Sequence, residues 1–501
     1  MTIQALYACI FFSLFNLAIP VMGGVYIAGD LGTSTDISYY GVSFFGLGAA
    51  CLYPLNPLFE KRLGKIECLL IFLSIFTLFT FCTALATTFP LFIILRFLSG
   101  MVSSVFFSFA LGLIRTLKKE YTKKEHLAPT AFLISITPAL ATSFGAWIAY
   151  DYHWKWMFLL QIPFLIGTFC ILYKSRNHLK TPLIQIPFDK VGYIAYVLFV
   201  VSLGSAVSLG QDLDWFRSSL ISTLFGISLV SFPFFILWEL KQEYPLIDFK
   251  LFQIPTFSMT IFSLFILFSV DIGMTVLFSL WIRLDANYTP IWIAILLLHM
   301  VVAATLVFIF VIKWMEKVHS FLPVIFAAMF FAIAFFYSSY FNSETNFERL
   351  AIARMLAGFG LAFFFFPLFK ICLECVPLDK SSQGTAIFHA CRLLAGSLGI
   401  AFYNTLLLRR EIFYHDRLGS YLTKYSEITD QCLTHIGFFH QKGVVAKELL
   451  NGALNKQSTA LGLADCFYSM GWLMIGLLII VILFSIKEWL KQNSYSLWSR
   501  R

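Results

Sequence analysis

Charge is what this chain has least of. Only 13% of its 501 residues are Asp, Glu, Lys or Arg, while 59% are hydrophobic, and soluble domains use about 25% charge to cover their surface. With a mean hydropathy of +0.81, most of the surface is expected to face lipid, which points to an all-α polytopic membrane protein. Several motifs are missing too. The chain has no Gly-x-x-x-x-Gly-Lys-Ser/Thr phosphate loop, no His-Glu-x-x-His and no nucleophile elbow, so ATP hydrolysis within it is not expected. The ten cysteines lie mostly in apolar runs, and the one close pair, Cys372-Leu-Glu-Cys375, ends an apolar segment. They read as small buried hydrophobes, with no metal or cofactor. A disulfide between Cys432 and Cys466 stays open. The net charge of +9 is attributed to basic loops beside anionic lipid, not to a nucleic-acid partner.

Apolar segments long enough to cross a bilayer, roughly twenty residues, fall at 5–28, 38–59, 68–89, 91–115, 128–150, 155–174, 189–209, 218–238, 256–281, 289–313, 320–341, 349–376, 384–408 and 466–488. The first is too long for a signal-peptide core and lacks a basic leader, so it is expected to stay as a span. Lysine and arginine mark the cytoplasmic side. They collect in the even-numbered connections: Lys61, Arg62 and Lys65, then Arg115 and Lys118–Lys124, then Lys174, Arg176, Lys180 and Lys190. Fourteen spans then place both termini inside, and the connection at 409–465, with a helical stretch near Val444–Leu454, outside.

A repeat organises these segments. Arg96-Phe-Leu-Ser-Gly100 recurs as Arg354-Met-Leu-Ala-Gly358, and Ser143-Phe-Gly145 as Ser397-Leu-Gly399. The pattern predicts two six-helix halves, 1–175 and 256–408 with 466–489, an inserted pair at 189–238, and a substrate cavity between the halves. Gly100, Gly145, Gly358, Gly396 and Gly399 are candidate sites of close helix packing.

The order of further motifs resembles the major facilitator superfamily, in its fourteen-span drug:proton antiporter branch of the EmrB/QacA type. These motifs are Asn16-Leu-Ala-Ile-Pro20, Asp30-Leu-Gly32, Trp154-Lys-Trp156-Met-Phe158 with Gln161-Ile-Pro163, Glu239 with Pro245-Leu-Ile-Asp-Phe-Lys-Leu-Phe252, and Arg392-Leu-Leu-Ala-Gly-Ser-Leu-Gly399. The resemblance implies transport by alternating access, in the bacterial inner membrane, with Arg96 at a position tied to proton coupling. The chain also departs from the pattern. Phe11 stands where an aspartate is usual. The loop Glu60-Lys61-Arg62-Leu63-Gly64-Lys65 has lysine at the acid position with Glu60 beside it, and Ala141-Thr142-Ser143-Phe144-Gly145-Ala146 keeps one glycine of the antiporter motif.

Four intramembrane polar residues are candidates for transport or coupling, because a charge facing lipid costs a few kcal/mol. Arg96 is expected to face the interior and pair with an acid, a carbonyl or substrate. Asp271, near the middle of its segment, is either the proton-carrying carboxyl or one partner of a fixed ion pair. His299 is either its relay or a hydrogen-bonded core histidine. Arg392 is either a packing residue or a substrate contact, and Arg354 is expected to snorkel to water. Phe363–Phe366 could line an aromatic cavity. The leading expectation is proton-coupled efflux of a small organic molecule, in contact with membrane lipid, with a periplasmic adaptor docking at 409–465. The alternatives are an importer or facilitator of a metabolite or metal-chelating compound, and a membrane-embedded transferase.

Overall fold

The computed structural model describes residues 1–34, 37–117, 124–179, 183, 187–284, 288–314, 321–342, 345–377, 380–422, 426–427, 429–431, 433–434 and 444–498. Lys118, Lys119, Lys123, Lys180 and Cys432 lie outside the described residues. Every regular element among the described residues is helical.

The first two helices, α1 (Thr2–Ala18) and α2 (Pro20–Asp30), meet at a bend of 50°. Pro20 opens α2; its ring blocks an uninterrupted helix and its missing N–H removes one rung. Then come α3 (Tyr40–Leu52), α4 (Asn56–Arg62), α5 (Lys65–Ala84), α6 (Phe89–Leu117), α7 (Lys124–Asp151), α8 (Trp156–Leu159) and α9 (Ile162–Ser175). Gly64, at φ 85° before α5, occupies backbone space that other L-residues avoid. The inserted pair is α10 (Lys190–Leu209) and α11 (Ser219–Glu239), and the remaining helices are α12 (Pro255–Leu284), α13 (Pro290–Trp314), α14 (Leu322–Ser338), α15 (Phe347–Cys375), α16 (Ser381–Gly419) and α17 (Val444–Trp498).

Among the described residues, twelve helices are long and apolar enough to cross a membrane, and the bent α1–α2 pair makes a thirteenth. The expected count of fourteen turns on α14, an apolar helix of 17 residues, or about 25 Å at 1.5 Å per residue.

The two copies of the repeat make matching contacts. In the first half, a methyl group on Gly100 of α6 would sit 2.0 Å from the Phe45 carbonyl oxygen of α3; in the second, one on Gly358 of α15 would sit 2.5 Å from that of Met300 on α13. Gly145 of α7 would likewise meet the Ile19 carbonyl oxygen at 2.1 Å, and Gly399 of α16 that of Ser269 on α12 at 2.3 Å. Glycine is needed at all four crossings because two backbones meet there. Gly396 differs, since its added methyl group would meet side chains alone, the Phe268 ring at 3.4 Å and Ile272 at 3.7 Å.

The halves face each other through α3 against α16 and α7 against α13, and α10 lies against α3 and α16 with α11 packed on α10. Only 17% of the α11 span is buried, against 83% of the span containing α3, so α11 is peripheral. At 409–465 the helices run on: α16 continues to Gly419 and α17 starts at Val444. Arg410 bridges Asp465 at 3.2 Å, and Tyr414 and Thr459 donate to Asp465 and Glu411 at 2.9 and 2.6 Å. These bonds satisfy the polar side chains between the two extensions, so much of the expected loop is a helical hairpin.

Candidate functional site

A cavity lies between the halves. It is walled by α1, α2, α3 and α7 on one side and α12, α13, α15 and α16 on the other. The wall is mainly apolar, with Phe268, Phe364 and Phe365 among its rings and Thr142, Thr275 and Ser397 among its hydroxyls. Asp271 of α12 and Arg392 of α16 are the charged side chains in it.

Asp271 is 7% exposed, and its carboxyl has no hydrogen-bond or ion-pair partner within bonding distance among the described residues. The nearest balancing charge is Arg354 of α15. Snorkelling does not describe Arg354. It lies two turns inside α15 on the face packed into the second half, fully buried with its guanidinium carbon 3.6 Å from the Phe278 ring centre. Its Nε and Nη2 have no hydrogen-bond partner among the described residues, and Nη1 is 3.9 Å from the Met300 sulfur. The acid and the arginine therefore influence each other electrostatically without a direct bond between them.

Arg96, the equivalent arginine of the first half, is fully bonded. Its Nε donates to the Gly41 carbonyl at 2.8 Å, Nη1 to Asn16 Oδ1 at 2.5 Å and Nη2 to the Leu17 carbonyl at 3.2 Å. Asn16 is held in turn by Gln161 Oε1 at 3.2 Å, and the Phe45 ring centre lies 4.5 Å from the guanidinium. Arg96 thus ties α6 to α1 and α3 and does not reach the cavity wall. Phe11 stacks on Phe15 at 5.3 Å.

His299 is not brought to Asp271. Its Nδ1 sits 2.8 Å from the Ile295 carbonyl oxygen one turn earlier, and its ring lies against Phe347. Arg392 does reach the cavity, and it also contacts the opposite half through the Tyr53 hydroxyl. Its Nε has no hydrogen-bond partner among the described residues, and its guanidinium lies 5.2 and 5.7 Å from the Phe268 and Phe365 ring centres. Tyr53 and a buried histidine beside it, His389, carry no sequence signal of their own: each sits inside an apolar run.

Contacts cross between the halves on both sides of the cavity. At the end rich in Lys and Arg, Ser382 of α16 donates to Glu60 Oε2 at 3.1 Å, while Glu60 Oε1 bridges Lys65 at 2.9 Å. Glu60 thus carries the loop's acid contact although lysine holds the usual acid position; Lys61 and Arg62 are exposed beside it. At the same end Lys380 bridges Asp248 at 2.5 Å. Burial raises the Asp248 carboxyl, but the Lys380 bond and the Lys250 N–H and charge outweigh it and hold it below the usual range. Towards the far end Ser143 of α7 donates to the Ala294 carbonyl of α13 at 3.1 Å, and Ser397 of α16 to that of Ser43 on α3 at 2.9 Å. Ser143 and Ser397 are the two copies of one repeat position, and each reaches across to the other half.

A family model for the Major Facilitator Superfamily matches residues 5–400. The chain belongs to the Major Facilitator Superfamily. Within it, the chain is similar to the fatty acid resistance protein FarB of Neisseria gonorrhoeae, 25% identical with 93% of this chain and 91% of that one covered. It is equally similar to the multidrug export protein EmrB of Haemophilus influenzae, 25% identical over 93% and 91%, and close to EmrB of Escherichia coli K12, 23% identical over 93% and 90%. Among solved structures it resembles a bacterial homolog of the human lysosomal transporter Spinster, inward-facing, with TM-score 0.60, 11% identity and coverage of 97% and 96%. A POT family transporter in complex with 5-aminolevulinic acid gives TM-score 0.63 and 12% identity over 97% and 96%. The structural likenesses bear on the fold. The chain is a multi-pass membrane protein of a transporter superfamily, as its motif order suggested.

Proposed function

We propose that the chain is a proton-coupled exporter of small amphipathic molecules working by alternating access. The observation that carries this reading is the Asp271 carboxyl, which faces the cavity between the halves without a bonded partner. It could bind a proton from one side and release it to the other as access alternates. A loaded carboxyl is neutral and suits the apolar wall; an ionised one suits a polar or charged substrate. The exclusion of one by the other would couple proton entry to substrate exit. The relatives named for multidrug export and fatty acid resistance support the direction and the substrate type.

The further assignments follow from this reading. The basic end would be cytoplasmic, with both termini on that side, α14 would complete fourteen spans, and the membrane would be the bacterial inner membrane. The α16–α17 hairpin would then project outside as the docking element for a periplasmic adaptor. Arg392 would contact substrate, and Arg96 would act through helix positioning. Reconstitution into proteoliposomes with a panel of lipophilic cations, amphipathic anions and metabolites tests the reading by following an internal pH dye. At least one compound should drive proton movement; transport without any proton movement would favour a facilitator, as the phenylalanine at position 11 would suit.

A further inference from the structure

His389 is fully buried, and neither ring nitrogen has a hydrogen-bond partner among the described residues. It lies on α16 one turn before Arg392, where the two halves meet between the cavity and the basic end. Rings from both halves enclose it: Tyr53 and Phe107 from the first, at 5.6 and 3.9 Å between ring centres, and Phe369 and Phe388 from the second, at 5.5 and 5.3 Å. The titratable and charged groups that face it, among the described residues, are Tyr53, from the turn after α3, and Arg392 on its own helix; α6 and α15 present Phe107 and Phe369. No carboxylate is at hand, so a protonated ring would lack a counter-ion here and the ring is neutral.

A histidine in this position is satisfied only elsewhere. Buried polar nitrogens without partners carry a desolvation cost that hydrogen bonding to water removes. Parting the halves at the basic end would bring the ring to water and let it take a proton, and closing them would strip both away. We propose that His389 is a gating residue that makes opening of the basic end favoured by protons, independently of Asp271. This rests on the alternating-access reading above.

The sign follows from the two states. The closed state holds the ring neutral; the open state exposes an imidazole titrating near its ordinary value of about 6.5. Between about pH 8 and about pH 5.5 the ratio of open to closed molecules should therefore rise by about tenfold. The full chain in lipid nanodiscs reports this ratio by single-molecule energy transfer between fluorophores on non-natural residues at Lys61 and Glu374. Both side chains are solvent-accessible at the basic end, one in each half.

The wild type and Asp271→Asn should both show the rise. His389→Phe, which fills the aromatic box, and His389→Gln, which hydrogen-bonds but does not titrate in this range, should both show a flat ratio. Wild-type titration persisting in both histidine variants overturns the proposal, as does its loss in Asp271→Asn. If a transported compound shifts the ratio but pH does not, the gating role of His389 fails and alternating access stands. A ratio that neither pH nor any compound moves removes both.

Discussion

Ser43 and Ser397 each donate a hydroxyl to the other's backbone carbonyl, at 3.3 and 2.9 Å, across the seam between α3 and α16. A methyl group on Gly46, one turn along α3, would lie 2.4 Å from Ser397 Oγ. The pair therefore depends on a close approach of the two halves. It forms the wall of the cavity on the side away from the basic end, where Ser143 makes the related bond to Ala294.

Weakening that pair should shift the conformational balance. A neutral hydrogen bond contributes about 1 kcal/mol net, so losing both in Ser43→Ala with Ser397→Ala should favour the conformer open at the far end by up to about thirtyfold. Thiol labelling of a cysteine placed at Thr142, which lines the cavity, would read this as faster modification from that side. An unchanged labelling rate would show that the pair does not hold the halves.

Close backbone crossings set the packing within each half. Gly100→Val and Gly399→Val should each cost on the order of 1–3 kcal/mol or more by pushing helices apart, visible as a lower thermal midpoint in detergent. Gly396→Ala, whose methyl meets the Phe268 ring and Ile272 at 3.4 Å or more, should be tolerated. Equal effects at Gly396 and Gly399 would contradict the assigned crossings.

The two arginines of the repeat should separate in mutagenesis. Arg96→Met removes charged hydrogen bonds to Asn16, Leu17 and Gly41 and should cost about 3 kcal/mol of stability. Arg354 lacks hydrogen-bond partners at two nitrogens among the described residues, so Arg354→Met should cost less stability than Arg96→Met. It should instead impair proton-coupled transport, because Asp271 loses its balancing charge. Thermal melts beside transport assays on both variants check the contrast.

The Asp248–Lys380 bridge ties the segment after α11 to the start of α16. Because the Asp248 carboxyl is held below its usual range, its stabilisation is complete above the ordinary value of about 3.9 and fades as pH falls through the lower folded value. Lys380 is 35% exposed, so the contribution is about 1 kcal/mol or less. Asp248→Asn should lower the thermal midpoint near neutral pH, with the difference vanishing in strong acid.

The sequence displayed the architecture through repetition. Arg96 with Gly100, Arg354 with Gly358, and the two Ser-x-Gly copies occupy equivalent helix crossings, and duplicated short motifs are visible without coordinates. Asp271 was legible because an acid in an apolar run has few uses. What stayed hidden depends on which way a helix faces. Arg354 points inward although its sequence depth suggests access to water, and His299 bonds its own helix although its depth matches Asp271. Tyr53 and His389 meet only because α3 and α16 cross, which no local pattern records. The 409–465 segment mixes charges as a loop would; the helical stretch near Val444–Leu454 was legible, but the continuation of α16 to Gly419 and its pairing through Arg410 with Asp465 and Glu411 with Thr459 were not.

The central claim is that Asp271 carries the coupling proton. The direct measurement is substrate-induced proton movement in proteoliposomes, comparing wild type, Asp271→Asn and Asp271→Glu at equal protein incorporation. Proton movement should fall at least about tenfold in the asparagine variant and return in part with glutamate, while substrate still binds. Proton movement undiminished in Asp271→Asn would contradict the account.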